Sequence, residues 1–173
     1  RLLNDWSLNN LKNIHFTGGE ATLNPLLPEF VRLASLNSIP STLTTNGMAS
    51  TRIYKELVDN GLTEIRISID TAVDEEFDAL VGVKGACQRV KRNVEFLTGL
   101  RDKGKELFII LNSCIGSFNI DKIQQTLNSL IELKPDDVKF LVVAEQGEQV
   151  HSKANRKLVD ELVAYAKGKA PNQ

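Results

Sequence analysis

Two cysteines, Cys87 and Cys114, are the only ones in these 173 residues, and they lie far apart in dissimilar surroundings. So thin a supply excludes a disulfide framework and a cysteine-rich metal cluster, and two reduced, mostly buried thiols suit a reducing cytoplasm. Neither sign of charge is in excess: 21 Lys and Arg stand against 22 Asp and Glu. Without a broad positive field there is little to neutralise a nucleic-acid backbone, so no nucleic-acid partner is expected. Long hydrophobic runs are missing as well. Phe108 to Leu111 and Leu141 to Ala144 fall far short of the roughly 20 residues that span a bilayer, so no membrane partner is expected either. No low-complexity linker or shift in composition marks a domain boundary, and the length suffices for one sizeable core.

From Ile14 onward, short apolar or β-branched runs alternate with stretches of helical period, the pattern of repeated βα units around a parallel sheet. Five strands are expected: Asn13 to Thr17, Ser41 to Thr45, Glu64 to Asp70, Leu107 to Cys114 and Asp137 to Ala144. Between them, Phe30, Val31 and Ala34 make one apolar stripe, and Ile53, Leu57 and Val58 a second. Val90, Val94 and Leu97 make a third. Ile120, Ile123, Leu127, Leu130 and Ile131 line a helix that Pro135 stops, and Leu158, Leu162 and Tyr165 line the last one. Gly61, Gly104 and Gly168 follow helical stretches, where a residue able to take positive φ closes a helix at little cost. Arg1 to Leu11 reads as the tail of a helix.

The chemistry concentrates at His15-Phe16-Thr17-Gly18-Gly19-Glu20, where a strand ends in two glycines and a carboxylate before Ala21-Thr22-Leu23-Asn24-Pro25 leads into a helix. Adjacent glycines let a ligand approach the backbone without interference from Cβ. An ionised Glu only accepts hydrogen bonds, so it suits a ligand bringing an ammonium or hydroxyls. By itself the segment is more simply a plain strand-to-helix turn that needs glycine. His15 and Thr17 alternate onto one face of their strand, where His15 reads as a substrate contact or a rim histidine. Arg89, Lys91 and Arg92 read as a wet helix face, His151 as a loop residue, and Gly82 to Gly85 as a flexible connection.

Phe16-Thr17-Gly18-Gly19-Glu20-Ala21 followed by Asn24-Pro25 resembles the Gly-Gly-Glu motif of the radical S-adenosylmethionine (SAM) superfamily. Thr44-Thr45-Asn46-Gly47 resembles the Thr-Asn-Gly end of that family's next strand, and Ile67-Ser68-Ile69-Asp70 its following Ser-x-Asp strand. The order of the three carries the resemblance, which is nearest to the molybdenum-cofactor biosynthesis A branch. It implies an α/β fold, a partial parallel (β/α)6 TIM-type barrel, with residues 1–173 running from its second strand to its sixth helix as a core-domain fragment. In such enzymes a [4Fe-4S] cluster held by three cysteines cleaves SAM to a 5′-deoxyadenosyl radical that abstracts hydrogen. Carried over by motif, Gly18, Gly19 and Glu20 would hold the SAM ammonium. Ser68 and Asp70 would lie near its ribose or carboxylate, Asn112 would bond the ribose, and Thr45 and Asn46 would touch SAM or substrate, although Asn46-Gly47 also suits a turn. The implied partners are a small-molecule or peptide substrate and an electron donor, in the cytoplasm. No catalytic residue is assigned.

The family's Cys-x3-Cys-x2-Cys motif has no counterpart here, since no cysteine precedes Cys87. Two isolated thiols do not ligate a tetranuclear cluster. With Arg1 in place of Met, the expectation is a truncated chain, inactive alone, whose parent supplies the cluster. The strand at Asn13 should then be an exposed sheet edge, open to self-association. Two rivals stand beside this reading. One is a cluster-free aldolase or epimerase using Glu20, Asp70 and His15 as acid-base groups, which requires the three to converge. The other is a noncatalytic α/β binding domain.

Overall fold

Five parallel strands, laid side by side in the order in which the chain makes them, organise the computed structural model, which describes residues 11–71, 73–116, 119, 122–142 and 160. They are β1 (Ile14–Phe16), β2 (Ser41–Thr45), β3 (Glu64–Ser68), β4 (Phe108–Ile115) and β5 (Asp137–Val142). The helices are α1 (Leu27–Leu36), α2 (Thr51–Asp59), α3 (Asp74–Val81), α4 (Ala86–Asp102) and α5 (Ile123–Glu132), and a 3-10 turn spans Ala21–Leu23. Strand order without a reversal, combined with right-handed crossovers, stacks every helix on one face of the sheet. That is the arrangement of a barrel wall rather than of a doubly wound sheet.

The pleat assigns the two faces. Leu43, Ile65, Ile67, Ile109 and Leu111 are buried in one cluster with Val31 of α1, Tyr54 and Leu57 of α2, and Val90, Val94 and Leu97 of α4. Their strand neighbours Thr44, Arg66, Ser68, Ile110 and Asn112 therefore point to the opposite face. Register sets these in rows across the sheet, with Thr44 beside Arg66, Arg66 beside Ile110, and Ser68 beside Asn112. A smaller cluster of Ile115, Ile123 and Leu127 seats α5 against β4 and β5.

Local chemistry explains the helix ends. Ser50 caps α2 through a bond from the Ile53 amide, and Pro28 stands in the first turn of α1, where its missing N–H costs nothing. Asp78, near the end of α3, accepts from the amides of Gly85 and Cys87 and so supplies partners to the orphan donors that open α4.

All five expected strands form, Ser41–Thr45 with the expected bounds and the others within two residues of them where described; Val143, Ala144, Gly168 and the Leu158-to-Tyr165 stripe lie outside the described residues, as do Ile120 and His151. β1 is an edge of the described sheet, as expected. Two expectations need correction. Helix α3 was not anticipated: its only buried side chain is Phe77, so it has no stripe to read, and its case rests on Asp74, Glu75 and Glu76 at its positive N-terminal end and Gly82 in the left-handed region at its close. In α1, Leu27 replaces Phe30 in the buried stripe, and Phe30 is exposed.

Gly47 is held for two reasons at once. Its φ is +75°, and a Cβ there would come within 2.9 Å of Ile67 Cγ2 and 3.0 Å of Val90 Cγ1. Gly47→Ala should therefore destabilise the fold by about 2–4 kcal/mol, from the left-handed backbone and overpacking together, as read by urea denaturation.

Candidate functional site

Gly18 and Gly19 follow β1 with φ of +95° and +43°, and apart from the adjoining residues no heavy atom of the described residues lies within 4 Å of where a Cβ would stand on either. Glycine is required here by the backbone rather than by crowding, and the space beside it is free for a ligand. Glu20 then turns its carboxylate inward. Oε1 accepts from the Thr22 amide at 3.1 Å, the Thr22 hydroxyl at 2.7 Å and the Thr45 hydroxyl at 2.9 Å. Oε2 accepts from the Asn46 amide at 2.7 Å. Four donors from two segments 26 positions apart thus join the end of β1 to the end of β2.

Behind this clasp lies a buried relay. The Thr45 hydroxyl is 3.3 Å from Tyr54 Oη and accepts from the Gly47 amide at 3.2 Å. Asn93 Nδ2, on α4, donates to the carbonyls of Gly47 at 2.7 Å and Ala49 at 2.9 Å. Asn46 spends its own side-chain oxygen on the Met48 amide, so the Asn-Gly turn and the site are one structure. Motif reading missed Thr22, Tyr54 and Asn93. The signal for Asn93 was an amide inside the otherwise aliphatic Val90, Val94 and Leu97 face of α4.

Two strands further along, Ser68 and Asn112 stand beside one another in register. Asn112 Oδ1 is buried and has no hydrogen-bond partner among the described residues. An unmet buried acceptor costs about 1–3 kcal/mol, so it marks a place where a donor from outside the protein is stabilising. Asp70 continues the line of β3 but is already engaged: its Oδ1 accepts from the Cys114 amide at 2.8 Å, and its carbonyl accepts from Asn119 Nδ2 and Ser113 Oγ. His15 Nε2 lies 2.8 Å from Thr44 Oγ1 on the face away from the helices. Glu20, Asp70 and His15 therefore serve three different sets of partners, and none bonds to another among the described residues.

Half-burial pushes the Glu20 carboxyl up, but the bonds from the Asn46 amide, the Thr22 hydroxyl and amide, and the Thr45 hydroxyl outweigh it and hold the group below its ordinary value of 4.5. The cysteines go the other way. Burial, then the neighbouring Asp74 carboxylate, pushes the Cys87 thiol up to about 12. Burial and Asp70 also raise Cys114, which is partly exposed at the end of β4. Lys91, read from sequence as part of a wet helix face, instead pairs with Asp74 at 2.9 Å. No group of three or more His, Cys, Asp or Glu among the described residues is arranged to hold a metal ion, and no helix among them is long and apolar enough to cross a membrane.

The model of the Radical SAM superfamily matches residues 2–130. A GTP 3′,8-cyclase of Clostridium perfringens is 28% identical over 152 residues, which cover 86% of this chain and 45% of the cyclase. The molybdenum cofactor biosynthesis protein 1 of Drosophila melanogaster is 26% identical over 159 residues, covering 90% of this chain and 26% of that protein. Among solved structures, Streptococcus suis SuiB bound to S-adenosylmethionine superposes with a TM-score of 0.75 at 19% identity, covering 96% of this chain and 39% of SuiB. The chain thus spans less than half the length of the cyclase it matches.

Two measurements check the electrostatics. Glu20→Gln turns an amide NH2 toward the Asn46 N–H and should cost about 1–3 kcal/mol near neutral pH, read by urea denaturation. Because the folded carboxyl lies below its ordinary value, that contribution is complete above pH 4.5 and lost as pH falls through the folded value. The gap between wild type and variant should therefore close only in acid. With a thiol near 12, Cys87 holds roughly one part in 10,000 of thiolate at pH 8. Iodoacetamide should accordingly alkylate Cys114 well before Cys87 in the folded protein, and equal rates would contradict the burial assigned to Cys87.

Proposed function

The chain belongs to the radical SAM superfamily, and from that premise we propose that its strand ends bind S-adenosylmethionine in an enzyme that abstracts hydrogen from a small-molecule or peptide substrate. The observation that carries this reading is Asn112 Oδ1, a buried acceptor with no partner among the described residues, in register with the Ser68 hydroxyl. A ribose brings the hydroxyl donors that such an acceptor needs.

The residues present fit SAM. Three donors crowd Oε1 of Glu20 and only one reaches Oε2, which leaves a lone pair on Oε2 for an ammonium. Gly18 and Gly19 leave that approach free of side chains. Ser68 and Asn112 would take the ribose, while Thr45, Asn46 and Asp70 would act chiefly by holding the strand ends in place, since their side chains are already bonded. Once cleaved, bound SAM supplies the 5′-deoxyadenosyl radical that removes hydrogen. The chain's own contribution would be to hold the amino-acid end through Gly18, Gly19 and Glu20 and the ribose through Ser68 and Asn112. A fixed geometry of this kind lowers the barrier by orientation.

The same residues do not fit a [4Fe-4S] cluster. Cys87 is buried on α4 beside Asp74, Cys114 ends β4, and the sequence has no third cysteine. On our reading the three cysteine ligands, the electron donor and the completed reaction belong to a longer protein that contains these residues, and the 173 residues alone are inactive. His15, on the face away from the helices, would meet the substrate.

The test is a longer protein carrying these residues with a Cys-x3-Cys-x2-Cys segment, reconstituted anaerobically with iron and sulfide. Given dithionite and SAM it should release 5′-deoxyadenosine, and Asn112→Ala should weaken SAM binding about 3- to 10-fold. Failure to bind SAM and to form 5′-deoxyadenosine would refute the reading.

A further inference from the structure

Arg66 is the middle residue of the middle strand, and it points away from the helices, on the same face as Thr44, Ser68 and Asn112. It holds no place in the motifs. A guanidinium set at the centre of a sheet loses hydration, a cost that a folded protein meets by giving it acceptors. Arg66 has one carboxylate: its Nε donates to Glu64 Oε1 at 2.6 Å, and the pair is only about one-third and one-quarter exposed. Glu64 thus takes the single Nε donor and leaves both Nη groups without a hydrogen-bond partner among the described residues. Arginine–carboxylate pairs frequently engage the planar fork in two parallel bonds. Here the fork is held at its base, and its outer edge is free among the described residues.

The surroundings complete a receptor for an oxyanion. Thr44 is Arg66's partner in register on β2, one strand spacing of roughly 4.8 Å away. Its hydroxyl is fixed by His15 Nε2 at 2.8 Å. Ser68 lies two residues farther along the same face, roughly 6.6 Å toward the C-terminal ends of the strands. Arg66 therefore leaves the backbone one rung deeper in the sheet than the Ser68 and Asn112 pair.

We propose that Arg66, with the Thr44 hydroxyl held by His15 beside it, binds an oxyanion of the substrate, a carboxylate or a phosphate, one rung below the SAM ribose. This placement rests on the proposed SAM site for its orientation, whereas the anion-binding groups are this chain's own. A substrate anchored there by its anionic group would present a neighbouring C–H toward the strand ends. Specificity would then come from the length between the anion and the hydrogen removed.

The test uses the full 173-residue chain, isotopically labelled, titrated separately with inorganic phosphate and with succinate against chloride at constant ionic strength. The Arg66 side-chain Nε–Hε resonance and the His15 ring resonances should shift saturably with at least one of the two probes, and the probe that saturates identifies the class of anion. Arg66→Gln should weaken that binding at least tenfold, and Arg66→Lys should recover part of it by restoring charge without the fork. Shifts that never saturate, or that survive unchanged in Arg66→Gln, would overturn the proposal. Unfolding of both Arg66 variants, seen as collapse of the amide spectrum, would make the residue structural and overturn it too. SAM titrated into the same wild-type sample separates the two readings: saturation by anion without SAM binding rejects the SAM site and leaves the anion site standing.

Discussion

The Glu20 carboxylate is the constraint on which the site depends. A chain leaving β1 through two glycines at positive φ has no intrinsic reason to hold one course, because the freedom that lets glycine enter that region also lets it leave. Four hydrogen bonds from Thr22, Thr45 and Asn46 remove that freedom. They do so across two strand ends rather than within one turn, so the glycines and the Thr-Asn-Gly segment, each unremarkable alone, are fixed relative to one another. The Tyr54 and Asn93 contacts extend the same order into α2 and α4. A carboxylate spent in this way belongs to the architecture first, and only the remaining lone pair on Oε2 is left for recognition.

What the sequence revealed, and what it concealed, follows from how each feature is stabilised. Strands and long helices were legible because burial of alternating or helically spaced apolar residues writes itself into the sequence, as in Ile65, Ile67 and Ile69 or Val90, Val94 and Leu97. Helix α3 left no such trace, since it is held by end effects and one phenylalanine. The site residues were legible only through the order of short motifs. The partners of those residues were not: no local pattern announces that Asn93 bonds a carbonyl 46 positions away, or that Asp70, apparently poised at a strand mouth, is bound to the Cys114 amide. Side-chain to backbone bonds between distant segments are products of the fold and become visible only with it.

The cysteines illustrate the difference between possessing a residue and possessing its chemistry. Cys87 is enclosed by α4 and α3 beside an ionised Asp74, which disfavours the thiolate that metals and electrophiles require. It behaves as a small apolar core residue. The residues proposed to face SAM and the cysteines a cluster requires are therefore separable, and the described residues offer candidates for the first and none for the second.

The pleat of β2, β3 and β4 has a consequence for how this family member can change over time. Along a strand such as Glu64–Ser68, one set of alternate residues packs against helices while the other lies on the opposite face of the sheet. Substitutions at Ile65 and Ile67 cost stability, whereas on the proposed reading substitutions at Arg66 and Ser68 would alter what can be held. Two kinds of selection thus act on interleaved positions of the same five residues without competing for any of them. A lineage can exchange its ligand preference one letter at a time while the helix-facing letters keep the domain folded.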